Sequence, residues 1–543
     1  MPRKMKQKIK QKIKQIFQNS FYQLLGIYAL LTLLASLKLF FKYTLHFEVF
    51  ALVLAVLGIF IVSGKKETRL NKKLHYFLFG LSIFLLVFFR VIPYVGNNVP
   101  LGYDAGIYKY SIDNFNEKGF GCDEWIKGTL SPGFLYLMKF FGIFFSSDFI
   151  VKWLFIFFNA LLGVSIYFFT KEYFNEKAGI IASLFYAVSA VQFKVFAFLY
   201  YKNIIALSLM LWSLYFLKKE SPKGFIIFSA LTGMMHLPTF FIFGLAYIAF
   251  TACNYKHWKV NVLNGVLILA LTLVSYTGFF REAVMPLIKP VAESFVEPGN
   301  APGTFISFFT YQFSTLAYLP FAILGFFHLV KKKSGTEKIN FRYAQKPKHA
   351  PGFSPWAFDM LFLWALINTV IVYFKFFFFN RFIIHLDIAL IILASFGFCV
   401  LIESKKRLGM IVLALMLFSA GFVTFNEARN AKPWINQEQL ELIKQLNKTE
   451  ENAFVMALSS EYSPFVLAYS GRKTIAPGLF DEDKWNLEKW HRFWKTKDKN
   501  ETIFLFSVYE KPIYLFAGSK NFENPCFEKY LEKGNSKIYK YAC

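Results

Sequence analysis

Asp104 lies in the stretch RVIPYVGNNVPLGYDAGIYKY (residues 90–110), directly after the apolar run HYFLFGLSIFLLVFF (75–89). Prolines and glycines end that run before a pattern with aromatics on one face resumes at Ala105. A carboxylate between aromatic residues at a membrane surface is a candidate general base or metal ligand, and otherwise a solvated loop aspartate.

A base is half of a group-transfer site; the other half must stabilise the leaving group. In a bilayer the obvious leaving group is a lipid phosphate, which cations or a metal must meet. Three basic residues stand at the ends of apolar runs: Arg90, Lys202 in LYYKN and Arg381 in FFFFNRFIIHLD. Taken singly, each also reads as a snorkelling side chain. His385 and Asp387 follow Arg381 within two turns, and Asp387 is an ionisable group at membrane depth. His236, in MMHLPT at the turn of a short hairpin, is placed to bind substrate or to cap a helix. Tyr108, one turn from Asp104, can stack on a sugar or simply pack on the loop. Asp123 and Glu124 read as a solvated face. No Walker A motif, dinucleotide loop or HExxH is present, and the five cysteines lack CxxC spacing. No cofactor is expected; the alternative is a divalent ion held by Asp104 and a distant acid such as Asp123.

The elements that must position these residues are membrane helices. The chain has 543 residues, 56% hydrophobic, with 71 phenylalanines and a mean hydropathy of +0.41, more apolar surface than a soluble core can hide. Its net charge of +27 lies mainly between apolar runs and in basic tracts, so it reports topology rather than a nucleic-acid partner. Spans are expected at 21–40, 47–63, 75–93, 148–170, 178–194, 202–217, 223–236, 238–253, 261–280, 304–330, 358–376, 382–402 and 408–425, about thirteen crossings at about 20 residues each. A basic leader, residues 1–20, precedes a retained first span. With that leader cytoplasmic, alternation puts inside the clusters Lys65, Lys66, Arg69, Lys72 and Lys73; Lys218, Lys219 and Lys223; Lys331, Lys332 and Lys333; and Lys405, Lys406 and Arg407.

The same parity places outside the loop 94–133, the turn 198–203, the segment 281–303, the turn 376–381 and everything beyond 425. The tail, 426–543, mixes a helix-like stretch (437–448) with strand-like runs at 453–458, 503–508, 512–517 and 536–541, and reads as an extracytoplasmic α/β domain. Cys526 and Cys543 are placed to pair across a terminal hairpin, the alternative being free thiols. Asn447 and Asn500 sit in N-glycosylation patterns on the same side. No internal repeat supports a transporter of two matching halves.

Four stretches together resemble the GT-C class of multispanning glycosyltransferases, which use polyprenyl-phosphate-linked sugars, and within it the catalytic subunits of oligosaccharyltransferases and their prokaryotic relatives. Arg90-Val91-Ile92-Pro93 with Gly102-Tyr103-Asp104 and Tyr108 is similar to the class's first external loop, whose aspartate is catalytic. LSPGFLY (130–136) and FFTKEYFNEKAGIIASLFYAVS (168–189) resemble the loop end and following helices. Arg381-Phe382 resembles the arginine that holds the lipid phosphate. The tail stretch MALSSEYSPFVLAYSGRKTIAPG (456–478) resembles the external domain around its peptide-recognition motif.

Two departures bear on chemistry. The sequon-reading Trp-Trp-Asp-Tyr-Gly is replaced by Ser459-Ser460-Glu461-Tyr462-Ser463, which argues against peptide N-glycosylation. The acidic metal motif of the second external loop is replaced by Tyr200-Tyr201-Lys202-Asn203, so Lys202 is expected to neutralise phosphate charge in place of a metal.

The resemblance implies a polytopic GT-C-like membrane domain, 21–425, and an enzyme that transfers a sugar from a polyprenyl-phosphate carrier on the outer face to an unidentified glycan, lipid or protein acceptor. Asp104 would be the base; Arg381, Lys202, Asn203, Tyr108, His236 and Arg90 would bind substrate. The alternatives are oligosaccharyltransferase-like protein glycosylation with a different acceptor clamp, and a lipid or solute transporter in which Arg381, His385 and Asp387 are pathway charges.

Overall fold

The computed structural model describes residues 3–37, 44–62, 71–283, 306–333, 359–376, 379–477 and 482–543. The expected inner lysines Lys65 and Lys66 with Arg69, and most of the segment 281–303, lie outside the described residues.

Among the described residues, the chain up to residue 430 folds into helices joined by turns and loops, with no strand. Its main helices are α1 (Arg3–Ser36), α2 (Thr44–Ile61), α3 (Lys72–Val91), α4 (Ala105–Lys118), α5 (Pro132–Gly142), α6 (Phe155–Tyr173), α7 (Glu176–Ala187), α8 (Ala190–Ala197), α9 (Tyr201–Lys218), α10 (Pro222–Met235), α11 (Leu237–Cys253), α12 (Trp258–Ser275), α13 (Leu319–Lys333), α14 (Met360–Tyr373), α15 (Phe379–Ser404) and α16 (Lys406–Asn430). Among the described residues, five helices are long and apolar enough to cross a bilayer: Lys72–Tyr94, Ser147–Tyr173, Tyr255–Ser275, Phe379–Ser404 and Lys406–Asn430. The bent pair α7 and α8 makes a sixth, and α11 and α14 are apolar but shorter. Five or six full-length spans among the described residues are fewer than the expected thirteen crossings, several of which fall on helices below full spanning length. The chain is an integral membrane protein.

Residues 178–194, expected as one span, form two helices bent by 51°. Ser189 breaks them, because its hydroxyl accepts from the Gln192 amide at 3.3 Å and starts α8 as a new helix. The bend is fastened to α15, where Asp387 accepts from Ser189 Oγ at 3.1 Å, from Gln192 Nε2 at 2.7 Å and from the Tyr318 hydroxyl of the turn before α13. A buried carboxylate needs such donors, and three elements converge to supply them. Helices α13 and α15 approach until a Cβ on Gly325 or Gly397 would strike the opposing backbone, the close packing that small residues permit between membrane helices. Helix α15 is buried along almost its whole length.

The tail adds α17 (Gln437–Gln445), α18 (Ser463–Tyr469), α19 (Leu487–Lys495) and α20 (Lys499–Phe506), with strands β1 (Phe454–Ala457), β2 (Lys473–Ile475), β3 (Ile513–Gly518), β4 (Phe527–Lys533) and β5 (Ser536–Tyr541). The strand order is β2-β1-β3-β5-β4; β1 runs parallel to β2 and β3, and β3, β5 and β4 are antiparallel. The central strands β1 and β3 are buried throughout, as their uninterrupted apolar runs require, whereas the edge strand β4 carries the charges of FEKYLEK. The run 503–508, expected as a strand, instead forms the end of α20 up to Phe506 and the turn after it. Asp498 caps that helix by accepting from the Asn500 amide, and Thr502, Leu505 and Phe506 share one buried face. That face joins a second core with Trp485, Trp490 and Phe493. Of the two readings left open for Cys526 and Cys543, the structure shows the disulfide, beside that core and with 5.0 Å between Cα atoms.

Candidate active site

Asp104 reaches its place through two residues in left-handed conformation. Gly102, at φ +81°, fits against Leu199, at φ +59° in the turn between α8 and α9; a Cβ on Gly102 would lie 2.8 Å from the Leu199 Cβ. The loop after α3 is thereby keyed onto the turn that begins α9. Asp104 occupies the N-cap position of α4, yet its side chain makes no capping hydrogen bond. The half-buried carboxylate lines a cavity of about 820 Å³ instead.

The cations come from two other elements. Lys202, on the first turn of α9, donates from Nζ to the Thr129 carbonyl at 2.6 Å. Its neighbour Tyr201 anchors that turn by donating to the Ile150 carbonyl at 3.0 Å, where the chain winds as a π-helical turn over Ile150–Leu154. Arg381, on the first turn of α15, lines the same cavity, as do Asn203, Tyr108 and His236. Burial raises the Asp104 carboxyl above its ordinary range, and the positive charges of Lys202 and Arg381 partly oppose that rise. All three groups thus share one electrostatic environment, although they are far apart in sequence.

Tyr108 is buried, its ring packed 5.4 Å from Phe134 and 5.8 Å from Tyr201, so its main work is to join α4 to α9 beneath the cavity. His236 caps a helix and stands at the cavity. Its Nδ1 accepts from the Thr239 amide at 3.3 Å and caps α11, while the ring lines the cavity. With Nδ1 accepting, the neutral ring carries its proton on Nε2 and is a donor there. Thr239 Oγ1 stands 2.9 Å from that Nδ1 and 3.3 Å from His385 Nε2, which links the turn to α15.

Arg90, expected among the substrate-binding residues, is fully buried and does not line the cavity. Its Nε donates to Asn159 Oδ1 at 3.1 Å, and its guanidinium lies 5.5 Å from the Tyr186 ring and 5.7 Å from that of Phe196. An arginine at the end of an apolar run can turn inward once other helices supply acceptors and aromatic faces. His385 and Asp387 also lie within the bundle rather than on the cavity wall. Asp123 is held by Tyr110, Asn114 and Lys118 and does not line the cavity with Asp104. Among the described residues, no group of three or more His, Cys, Asp or Glu is arranged to hold a metal ion.

Sequence reasoning missed part of the wall. Trp434, between α16 and α17, lines the cavity 5.8 Å from Tyr103, edge to face, and Ser460 and Glu461 line it just ahead of α18. A tryptophan in the polar stretch KPWINQ, immediately after a span, was the available signal. Tyr103 is pushed up to about 12 by burial and then by the Asp104 charge, so its hydroxyl remains a donor.

Comparison with known structures agrees with this architecture. ArnT from Cupriavidus metallidurans, bound to undecaprenyl phosphate, is similar with a TM-score of 0.55 and 11% identity, covering 87% of this chain and 98% of that one. The Archaeoglobus fulgidus oligosaccharyltransferase, tethered to an acceptor peptide containing an NVT sequon, gives 0.54 and 13% over 83% of this chain and 69% of that one. The same organism's oligosaccharyltransferase AglB, in complex with an inhibitory peptide and a dolichol-phosphate, gives 0.52 and 12% over 82% and 70%. At these identities the likeness is one of fold, the membrane glycosyltransferase fold of the GT-C class with its C-terminal α/β domain. No curated protein matches the chain. Residues 74–437, more than half of the sequence and including every cavity residue ahead of α17, match one family, and the chain belongs to it: the EpsG family.

Proposed function

We propose that the protein is a glycosyltransferase that takes a sugar from a polyprenyl-phosphate-linked donor and transfers it, on the outer face of the membrane, to an acceptor hydroxyl. The observation that carries this reading is that Asp104, Lys202 and Arg381 line one cavity, so a base and two phosphate-holding cations face the same space. Arg381 and Lys202 hold the donor phosphate, with Asn203 and the His236 donor beside them. The acceptor oxygen attacks the anomeric carbon as the bond from that carbon to the phosphate oxygen breaks. The acceptor proton passes to the Asp104 carboxylate, and the electron pair of the broken bond stays on the phosphate, where the cations meet the added charge.

The outward orientation follows from the basic clusters between spans, and a disulfide in the tail fits an oxidising compartment. The test is transfer by purified protein in detergent, using lipid-linked donor extracted from the source cells. Asp104→Asn is expected to lower turnover by roughly 10²–10⁴ while still binding undecaprenyl phosphate. Undiminished turnover removes Asp104 from the mechanism. Micelles have no compartments, so covalent transfer there also separates this reading from a transporter.

A further inference from the structure

The cavity wall contributed by the tail and its linker differs in kind from the cationic wall. It presents Trp434, 44% exposed, with Tyr103 packed against it edge to face, and Ser460 and Glu461 line the same cavity. The segment carrying Glu461 is fixed: Lys520 donates to Ser459 Oγ at 2.8 Å and stands 3.7 Å from the Glu461 carboxylate. Broad aromatic faces next to a hydroxyl and a carboxylate match the two surfaces of a pyranose, its C–H face and its ring of hydroxyls. They suit other acceptors less well. Strand addition, one way to hold an extended peptide, has no footing here, since β2, the edge nearest this wall in sequence, contributes nothing to the lining. A second lipid phosphate would be set against Glu461.

We infer that the acceptor is a saccharide, and that Trp434, Tyr103 and Glu461 form its subsite. This rests on the proposed transfer reaction and adds the acceptor's class. The indole stacks on one sugar ring, and Glu461 accepts from that ring's hydroxyls, which presents a neighbouring hydroxyl to Asp104.

Two readouts on the full-length protein in detergent keep this inference apart from the transfer reading. Undecaprenyl phosphate binding reports the cationic wall. Saturation-transfer NMR with a panel of neutral gluco-, galacto- and manno-oligosaccharides, and with a sequon peptide, reports the tail wall. At least one oligosaccharide is expected to bind, and the peptide is expected not to. Trp434→Ala and Glu461→Gln should each weaken the oligosaccharide about tenfold, while Trp434→Phe retains most of the affinity. Undecaprenyl phosphate affinity should stay close to wild type in all three. Lipid phosphate binding with no oligosaccharide binding overturns the saccharide subsite, as does preferential binding of the peptide. Oligosaccharide binding untouched by Trp434→Ala overturns it too, and leaves Trp434 as an anchor at the membrane surface. Failure of the wild type to bind undecaprenyl phosphate counts instead against the donor reading.

Discussion

Asp104 works under two opposed influences, burial that favours its protonated form and two cations that favour its ionised form. The base proposed for Asp104 acts only when ionised, so kcat/KM is expected to fall as pH drops through a midpoint above the ordinary aspartate value of about 3.9. Replacing Lys202 or Arg381 with glutamine removes a charge that holds the carboxyl down, so the midpoint should move to higher pH in either variant. A pH–rate profile of the wild type and the two variants measures this; coincident midpoints would mean that the cations do not act on the base. Residues of this kind were legible because polar groups at the ends of apolar runs are few and stand out. Arg90 carried the same signature but lies away from the cavity, since its place depends on Asn159, a partner 69 residues further on that no local pattern reveals. Glu461 was visible in the sequence only as a departure from a peptide-reading motif, because its place on the wall is set by how the tail docks.

At the scale of elements, the site depends on the fit of the Gly102 loop against the Leu199 turn. Gly96 and Gly102 offer a matched comparison, since both have positive φ but only Gly102 is crowded. Gly96→Ala should cost about 1–2 kcal/mol of stability for the left-handed backbone alone and leave transfer nearly intact. Gly102→Ala adds a collision with Leu199, so the turn carrying Lys202 must shift. A displacement near 1 Å at a catalytic group costs on the order of 10²-fold in rate. Thermal unfolding and transfer assays on the two variants check this, and equal losses of transfer would remove the special role of the contact. Helices were legible where apolar runs reached full length, as in α15 and α16. The break between α7 and α8 was not, because a hydrophobicity window averages over Ser189, whose effect is local capping reinforced by Asp387. The helix α20 was hidden by the apolar string IFLFSV, which satisfies a buried strand as well as a buried helix face.

For the molecule as a whole, the feature with the widest reach is where the tail meets the membrane part. Helix α18 rests on α4 so closely that a Cβ on Gly106, two residues after Asp104, would run into the Pro464 carbonyl. Tyr469 completes the contact by donating to Asp148 at 2.6 Å, with Lys109 5.2 Å from its ring. Gly106→Ala is therefore expected to loosen docking: amide exchange should accelerate in α4 and α18, while β1 and β3 keep their protection and transfer falls. Unchanged exchange in α18 would show that the two parts do not bear on each other. The sequence announced a tail of different composition but not this junction, since a glycine in a helix and a proline 358 positions later share no pattern.

That junction also limits how such proteins can be rebuilt. A chimera that grafts a foreign tail after residue 430 would present a new surface to Gly106, and any side chain in place of the Pro464 backbone would press on the helix that Asp104 begins. Under the proposed reaction, a change of acceptor should therefore succeed by editing single positions around Trp434 and Glu461, and fail by wholesale cassette exchange.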